Sequence, residues 1–159
     1  MNNIKTFENF NNKDIFTYIE DNDIQAVKNY IDSGYDLNIQ NDVGGDTTLI
    51  YATSNNKIEI VKLLLNAGAD TNKQNNSGNT ALIIAAYKNN REIVEILLDY
   101  GADEFILNNY NKSFYDKLNH ENQQYFLHKY PTSVYNAIYH NYKKSFTEFV
   151  KDYNIKNNK

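Results

Sequence analysis

The sequence of 159 residues contains no cysteine. This absence excludes disulfide frameworks, zinc–thiolate sites and thiol catalysis, and it suits a reducing compartment. Long apolar stretches are also lacking. No run approaches the roughly 20 residues that a membrane-spanning helix needs, and the first residues have no apolar signal-peptide core. We therefore expect a cytoplasmic protein, in its own cell or in a host cell, without a membrane partner.

An excess of basic charge is absent too, because 16 Lys and Arg stand against 20 Asp and Glu, for a net charge of −4. Duplex-binding domains usually carry a basic face, since phosphate neutralisation supplies most of their affinity. We therefore expect no nucleic-acid partner. The C-terminus is locally basic, but Glu148 and Asp152 interrupt its lysines, which we interpret as a solvated helix face. These lysines are Lys143, Lys144, Lys151, Lys156 and Lys159.

The sequence contains an internal repeat with a period of 33 residues. Residues 45–50, 58–65 and 68–70 align without a gap with residues 78–83, 91–98 and 101–103. A weaker copy precedes them at an offset of 34, because the loop at 42–45 holds one extra residue, where an insertion costs little. A degenerate copy follows at 111–115. A fixed period of this length indicates stacked supersecondary units.

Each copy predicts two short antiparallel helices and a turn. In the third copy, the first helix should run from about Thr80 to Lys88, with the Thr80 hydroxyl capping its N-terminus. The second should run from about Arg91 to Tyr100 and stop at Gly101, which readily adopts a left-handed conformation. The apolar residues predicted to face the core are Leu82, Ala85, Ala86, Ile93, Val94, Ile96, Leu97 and Leu98.

These residues resemble the ankyrin repeat, whose pattern is Gly-x-Thr-Pro-Leu-His, then Ala-Ala, then Glu-Ile-Val-x-x-Leu-Leu, then Gly-Ala-Asp-x-Asn. The third copy keeps Gly78, Thr80, Leu82, Ala85, Ala86, Glu92, Ile93, Val94, Leu97, Leu98, Gly101, Ala102 and Asp103. It departs at Ala81 and Ile83, where the family has Pro and His, as the second copy does at Thr48 and Ile50. The resemblance implies an all-α solenoid of stacked antiparallel helix pairs with short hairpin turns, about four repeats plus C-terminal capping helices.

The repeat register predicts the domain boundaries. We expect an N-terminal leader or cap at 1–13, a divergent first repeat at 14–41, a second repeat at 42–74, a third at 75–107, a degenerate fourth at 108–130, and a C-terminal helical cap at 131–159. In the first repeat, the acidic residues should stay outward: Asp14, Glu20, Asp21 and Asp23. A polar outer face is what a terminal repeat of a solenoid requires.

Both ends of the chain leave alternatives open. Near the N-terminus, Phe7 and Phe10 belong either to a short leader or to an amphipathic turn that covers the first repeat. Near the C-terminus, apolar residues recur at i, i+3, i+4 and i+7, which indicates one face of a helix. That face either covers the array or forms an exposed stripe for a partner or a homo-oligomer. It comprises Tyr135, Ile138, Tyr139, Tyr142, Phe146, Phe149, Val150 and Tyr153.

The sequence lacks a recognisable catalytic or cofactor motif. The three histidines do not have the spacing of metal ligands such as His-Glu-x-x-His: they are His120, His128 and His140. Residues 44–46 begin like a phosphate loop, but no Gly-Lys-Ser/Thr follows, so we interpret them as a hairpin tip. Asp70 and Asp103 recur at the repeat period, as structural turn carboxylates do. We expect no enzymatic activity, no cofactor and no metal.

The resemblance also implies a binding site, because ligands of ankyrin proteins usually lie across a concave face built from the hairpin tips and the exposed side of each first helix. The matching tip residues are Val43, Asp46, Asn76, Ser77, Asn79, Asn109, Tyr110 and Lys112, and the matching helix residues are Ser54, Asn55, Tyr87 and Lys88. Binding hot spots favour tyrosine over asparagine or serine. Tyr87 and Tyr110 are therefore the strongest candidates.

The implied function is a protein–protein interaction module that binds a partner protein by occlusion or bridging. Asn, Ile, Lys and Tyr are abundant and have AT-rich codons, which is consistent with a viral, phage or bacterial effector that inhibits a host factor. Two alternatives stay open. The chain is either a self-associating structural protein that uses the aromatic C-terminal helices, or a binder of a small ligand.

Overall fold

The computed structural model describes residues 14–129, which form eight α-helices. The helices are α1 (Ile15–Glu20), α2 (Ile24–Asp32), α3 (Thr48–Ser54), α4 (Ile58–Asn66), α5 (Ala81–Tyr87), α6 (Arg91–Asp99), α7 (Phe114–Lys117) and α8 (His120–Lys129). Consecutive helices pair, and the first helices of the pairs stack in the order α1, α3, α5, α7. Within this range, β-pairing is limited to one isolated bridge between Gln40 and Thr47. The predicted all-α solenoid is confirmed.

Two predicted segments lie outside the described residues. One is the leader or cap at 1–13 with Phe7 and Phe10, and the other is the C-terminal cap at 131–159. The predicted aromatic stripe falls in the second segment: Tyr135, Tyr139, Tyr142, Phe146 and Phe149.

Short polar side chains start the helices. Thr80 accepts a hydrogen bond from the backbone N–H of Ile83 at 3.3 Å, as the sequence predicts, and Thr47 does the same for Ile50 at 3.2 Å. Asp14 and Asp23, expected only to face solvent, are exposed and also cap α1 and α2. Each cap satisfies a backbone donor that the first helical turn leaves without a partner.

Glycines end the second helices. Gly101 adopts φ +76°, and the N–H groups of Gly101 and Ala102 donate back to the carbonyls of Leu98 and Leu97 at 3.0 and 2.9 Å. Together these two bonds form a Schellman motif, in which the residue just after the end of the helix adopts a left-handed conformation. The stop predicted at Gly101 is therefore confirmed.

The core runs along the stack, between the two helices of each pair and between neighbouring pairs. Leu82, Ala85 and Ala86 on α5 and Val94 and Leu97 on α6 are buried, as predicted. The small Ala side chains let neighbouring helices approach closely. Ile96 and Leu98 are only partly buried, although both pack against the core. The apolar stripe of α6 is therefore narrower than the sequence predicts.

The last described pair departs from the prediction. In the segment predicted to be a degenerate fourth repeat, 108–130, the first helix α7 is a single turn that ends at Lys117. It ends there because Leu118 is extended, with ψ 146°, which turns its side chain into the core. The Asn119 side chain then caps α8 by accepting from the N–H of Asn122 at 2.9 Å.

Polar contacts attach α8 to α6. The Arg91 guanidinium lies 4.1 Å from the centre of the Tyr125 ring and donates to Asn122 at 2.8 Å. The Tyr125 hydroxyl donates to Glu95, which also pairs with Lys129 at 2.8 Å. Burial opposes ionisation of Glu95, but the hydrogen bonds from Lys129 and Tyr125 outweigh it and lower the pKa of this carboxyl.

Removal of the Leu97 side chain should destabilise the array strongly. Leu97 is fully buried between the stacked pairs, and truncation of a buried leucine costs about 2–5 kcal/mol. We expect Leu97→Ala to lower the free energy of unfolding, measured by urea denaturation, by this amount. The partly buried Leu98→Ala is the control, and an equal loss in both variants would contradict the assignment of the inner face.

Acid should weaken the attachment of α8. The pKa of Glu95 is lowered on folding from its ordinary value of 4.5, so its contribution is present above that value and is lost as pH falls through the folded-state pKa. We expect Glu95→Gln to lower the unfolding temperature at pH 7 and to have a smaller effect at pH 3. An equal difference at both pH values, measured by circular dichroism, would show that the charge of Glu95 contributes nothing.

Candidate functional site

Three turns precede the first helices of the second, third and fourth repeats, and we call them the tips: residues 41–46, 75–79 and 108–112. Each tip is shaped by an asparagine at its start. The Asn75 side-chain oxygen accepts from the N–H groups of Ser77 and Asn79 at 3.0 and 2.9 Å. Asn41 and Asn108 each accept two N–H groups of their own tips in the same way. This local bonding is the reason that asparagine favours turns.

The same asparagines join neighbouring tips. The Asn75 amide donates to the Asp46 carboxylate at 2.7 Å, and the Asn108 amide donates to the Asn79 side-chain oxygen at 2.8 Å. Two predicted site residues, Asp46 and Asn79, therefore use one oxygen each to hold adjacent repeats in register. Both residues are only half-buried.

The backbones of the tips are also hydrogen-bonded to one another. The N–H of Asn76 donates to the Gly44 carbonyl at 3.0 Å, and the N–H of Asn109 donates to the Ser77 carbonyl at 3.1 Å. The Asn109 side chain adds a bond to the Asn76 carbonyl at 3.1 Å. The side chains of Asn76 and Ser77 remain exposed. The predicted tip residues are thus held on a preformed backbone.

A left-handed asparagine follows the end of each of the first helices α1, α3 and α5. Asn22, Asn56 and Asn89 have φ values of 56°, 56° and 53°. The two residues before each of them occupy equivalent positions, which places Glu20 and Asp21 in register with Ser54 and Asn55 and with Tyr87 and Lys88. The sequence reasoning omitted Glu20 and Asp21. The spacing of 34 between Asn22 and Asn56 is the signal that would have found them.

The tips and these helix ends together are called the candidate surface below. Its members are Glu20, Asp21, Asp42, Val43, Asp46, Ser54, Asn55, Asn76, Ser77, Asn79, Tyr87, Lys88, Asn109, Tyr110 and Lys112. Ser54 and Asn55 both donate to the Tyr51 carbonyl, at 3.0 and 2.9 Å. Because these two bonds cap their own helix, part of their hydrogen-bonding capacity is structural.

The two tyrosines of the candidate surface are its most exposed aromatic residues. Tyr87 at the end of α5 is 64% exposed, and Tyr110 in the last tip is 71% exposed. The Lys117 ammonium lies 6.0 Å from the centre of the Tyr87 ring. A solvated ring beside a cation offers both apolar area and hydrogen-bonding capacity to a partner.

Tyr51 joins the first and second repeats beneath the acidic end of the surface. Its ring meets Phe16 edge-on at 5.4 Å, and its hydroxyl donates to the Glu20 carboxylate at 3.4 Å. Burial, reinforced by the negative charge of Glu20, raises the pKa of Tyr51. Tyr51 is therefore a neutral donor that helps to position Glu20.

Among known protein families, residues 15–108 match the family model for ankyrin repeats in three copies. The chain belongs to the ankyrin-repeat family. A search of curated proteins gave no match. Ankyrin repeats are general protein–protein interaction modules, typically without catalytic activity.

Among solved structures, the chain is similar to the crystal structure of the ankyrin repeat domain of Bcl-3, described as a unique member of the IkappaB protein family. The TM-score is 0.68 at 26% sequence identity, and the match covers 72% of this chain. It covers 50% of the Bcl-3 chain, so this ankyrin array spans about half the length of that relative.

Other kinds of site find little support between residues 14 and 129. The turns after α3 and α5 border an open, polar groove lined by Thr53, Ser54, Asn55, Asn56, Lys88, Asn89, Asn90 and Arg91. No group of three metal-ligating side chains comes together in this part of the chain. None of its helices is long and apolar enough to cross a membrane. Among the features of this part of the chain, the candidate surface is therefore the best-supported binding site.

Two glycines offer a matched test of how closely the tips approach each other. Gly78 and Gly68 both have positive φ, 76° and 86°, but a Cβ at Gly78 would lie 2.7 Å from the Asn109 backbone nitrogen, whereas one at Gly68 would meet nothing within 4 Å. Gly68→Ala should cost only the left-handed strain of about 1–2 kcal/mol. Gly78→Ala must also displace the last tip, so we expect a larger loss of unfolding free energy. Equal losses in urea denaturation would show that the tips are not in close contact.

Proposed function

We propose that this ankyrin array binds a partner protein across the candidate surface, with Tyr87 and Tyr110 as its main anchors. The observation that carries the proposal is the exposure of these two rings, 64% and 71%, on a surface whose neighbouring polar groups already hold the repeats together. Since those tip bonds exist before binding, little ordering cost remains to be met in the complex. Such a surface suits an interface of standard size, about 800 Å² per partner.

Charge on the candidate surface changes sign along the array. Its acidic residues belong to the first two repeats and its basic residues to the last two: Glu20, Asp21, Asp42 and Asp46 on one side, Lys88 and Lys112 on the other. Complementary charge chiefly sets orientation and speeds association. The partner surface that fits is therefore basic opposite α1 and the first tip, and acidic opposite α5 and the last tip.

The proposed mode of action is occlusion or bridging rather than catalysis. The candidate surface presents carboxylates, amides and two tyrosines, and the groove beside Lys88 is open and polar. These features support a binder of a folded protein over an enzyme or a small-ligand binder, since small-ligand sites are usually concave and mostly apolar.

We further propose a cytoplasmic site of action and a host factor as the target, with the chain acting as a viral, phage or bacterial effector. The support is compositional: cysteine is absent, and the residues with AT-rich codons are abundant. Of the proposed partner contacts, Asn76, Ser77, Asn109 and Lys112 are exposed.

The two tyrosines should account for much of the affinity. Hot-spot tyrosines cost about 2 kcal/mol or more when truncated, which is about thirtyfold in Kd. We expect Tyr87→Ala/Tyr110→Ala to lose capture of the partner from a host lysate, with an unchanged circular dichroism spectrum. The control is Tyr100→Ala, a 45% exposed tyrosine outside the candidate surface. Undiminished capture by the double variant would contradict binding through this surface.

A further inference from the structure

A polar ladder that runs along the array stops at its last described loop. The side-chain oxygen of Asn38 accepts from the N–H of Asp70 in the next repeat at 2.8 Å, and Asn72 repeats this bond to Asp103 at 2.8 Å. The next equivalent residue is Phe105, as shown by the bond from its N–H to Asp103, which matches the bond from Asn72 to Asp70. An apolar ring thus replaces the amide that would hold a further repeat.

A second rung changes at the same place. Gln40 donates to the Gln74 carbonyl at 3.1 Å, and Gln74 donates to the Leu107 carbonyl at 3.0 Å. Leu107 occupies the position that glutamine holds in the two preceding loops, and its side chain has no hydrogen-bond donor. Both substitutions convert a hydrogen-bonding edge into an apolar one, with Phe105 and Leu107 each 36% exposed.

The third rung ends as well, at the tip. Asp46 and Asn79 each accept an amide from the following tip, but the equivalent residue of the last tip is Lys112, which has only donors. An incoming asparagine of another ankyrin tip would find no acceptor there. The edge of the fourth repeat therefore suits an apolar segment, and it does not suit another repeat of the same kind.

We propose that residues 130–159 of the same chain dock on this edge, through Phe105 and Leu107. The stretch of 30 residues begins directly after α8, and it carries the aromatic residues spaced at i, i+3, i+4 and i+7, Tyr135 to Tyr153. It has five lysines against Glu148 and Asp152, while Asp103 and Glu104 lie beside the apolar pair. Tethering raises its local concentration to about the millimolar range, well above that of a second copy in dilute solution.

Spin labelling of the full-length chain can test this docking, because the absence of cysteine allows a single label. A nitroxide at Ser145→Cys, between the apolar positions, should broaden the amide signals of Leu107 and Tyr115 and leave those of α2 unchanged. Phe105→Asn/Leu107→Gln, which gives this loop the side chains of the two preceding loops, should weaken the broadening at Leu107 to the diffuse level that a tethered but undocked segment causes, while the rest of the spectrum is retained. Val43→Ser, which alters an exposed apolar residue in the first tip, should leave the broadening intact.

Three results would overturn the proposal. The first is a spectrum without broadening near Leu107. The second is broadening at Leu107 that is undiminished in Phe105→Asn/Leu107→Gln. The third is broadening that arises only between labelled and unlabelled molecules in a mixed sample, which would assign the edge to a second copy of the chain. None of these results depends on partner capture through Tyr87 and Tyr110, so the proposed function is tested separately.

Discussion

Each helix pair has apolar residues on two opposite sides and can bury them only against the pairs before and after it. Ile60 and Leu64 on α4 and Ile93 and Leu97 on α6 are fully buried, although each of these helices has only nine residues. Isolated helices of this length are marginal in water. The helices are therefore stabilised mainly by packing between the stacked pairs. The turns and tips must in turn allow the pairs to stack at a fixed spacing.

The polar bonds between tips solve a problem that apolar packing leaves open. Contacts between leucines and isoleucines are non-directional, so they fix the distance between pairs better than their alignment. The bonds from Asn75 to Asp46 and from Asn108 to Asn79 are directional, and they join the second repeat to the third and the third to the fourth. These bonds fix the positions of neighbouring tips relative to one another. They do not involve Tyr87 or Tyr110, whose rings stay exposed.

The sequence predicts well what is local and repeated. The cap at Thr80, the stop at Gly101 and the burial of Leu97 each depend on residues within about one turn of helix, and the repeat period shows them twice. The contacts it misses are specific to one copy or join distant residues. The early end of α7 depends on the burial of Leu118, and the stacking of Arg91 on Tyr125 joins residues whose pairing leaves no periodic signal. Glu20 and Asp21 were predicted to face solvent but were not assigned to the site, because the first repeat has few family residues to align on.

The last described loop differs from the internal loops in the side chains that it offers to a following repeat. In an internal repeat, Asn72 donates through its N–H to Asp70 of its own loop and accepts through its side chain from Asp103 of the next repeat. The equivalent residue in the last described loop is Phe105, whose N–H keeps the bond to Asp103 while its side chain is apolar. Leu107 likewise still accepts from Gln74 through its backbone. The bonds that build the array are therefore kept at its edge, and only the bonds that would extend it are replaced. Random loss of the repeat sequence would remove the bonds to the preceding repeat as well as those to a following one. The selective replacement seen at Phe105 and Leu107 therefore favours a specific role for these two apolar side chains.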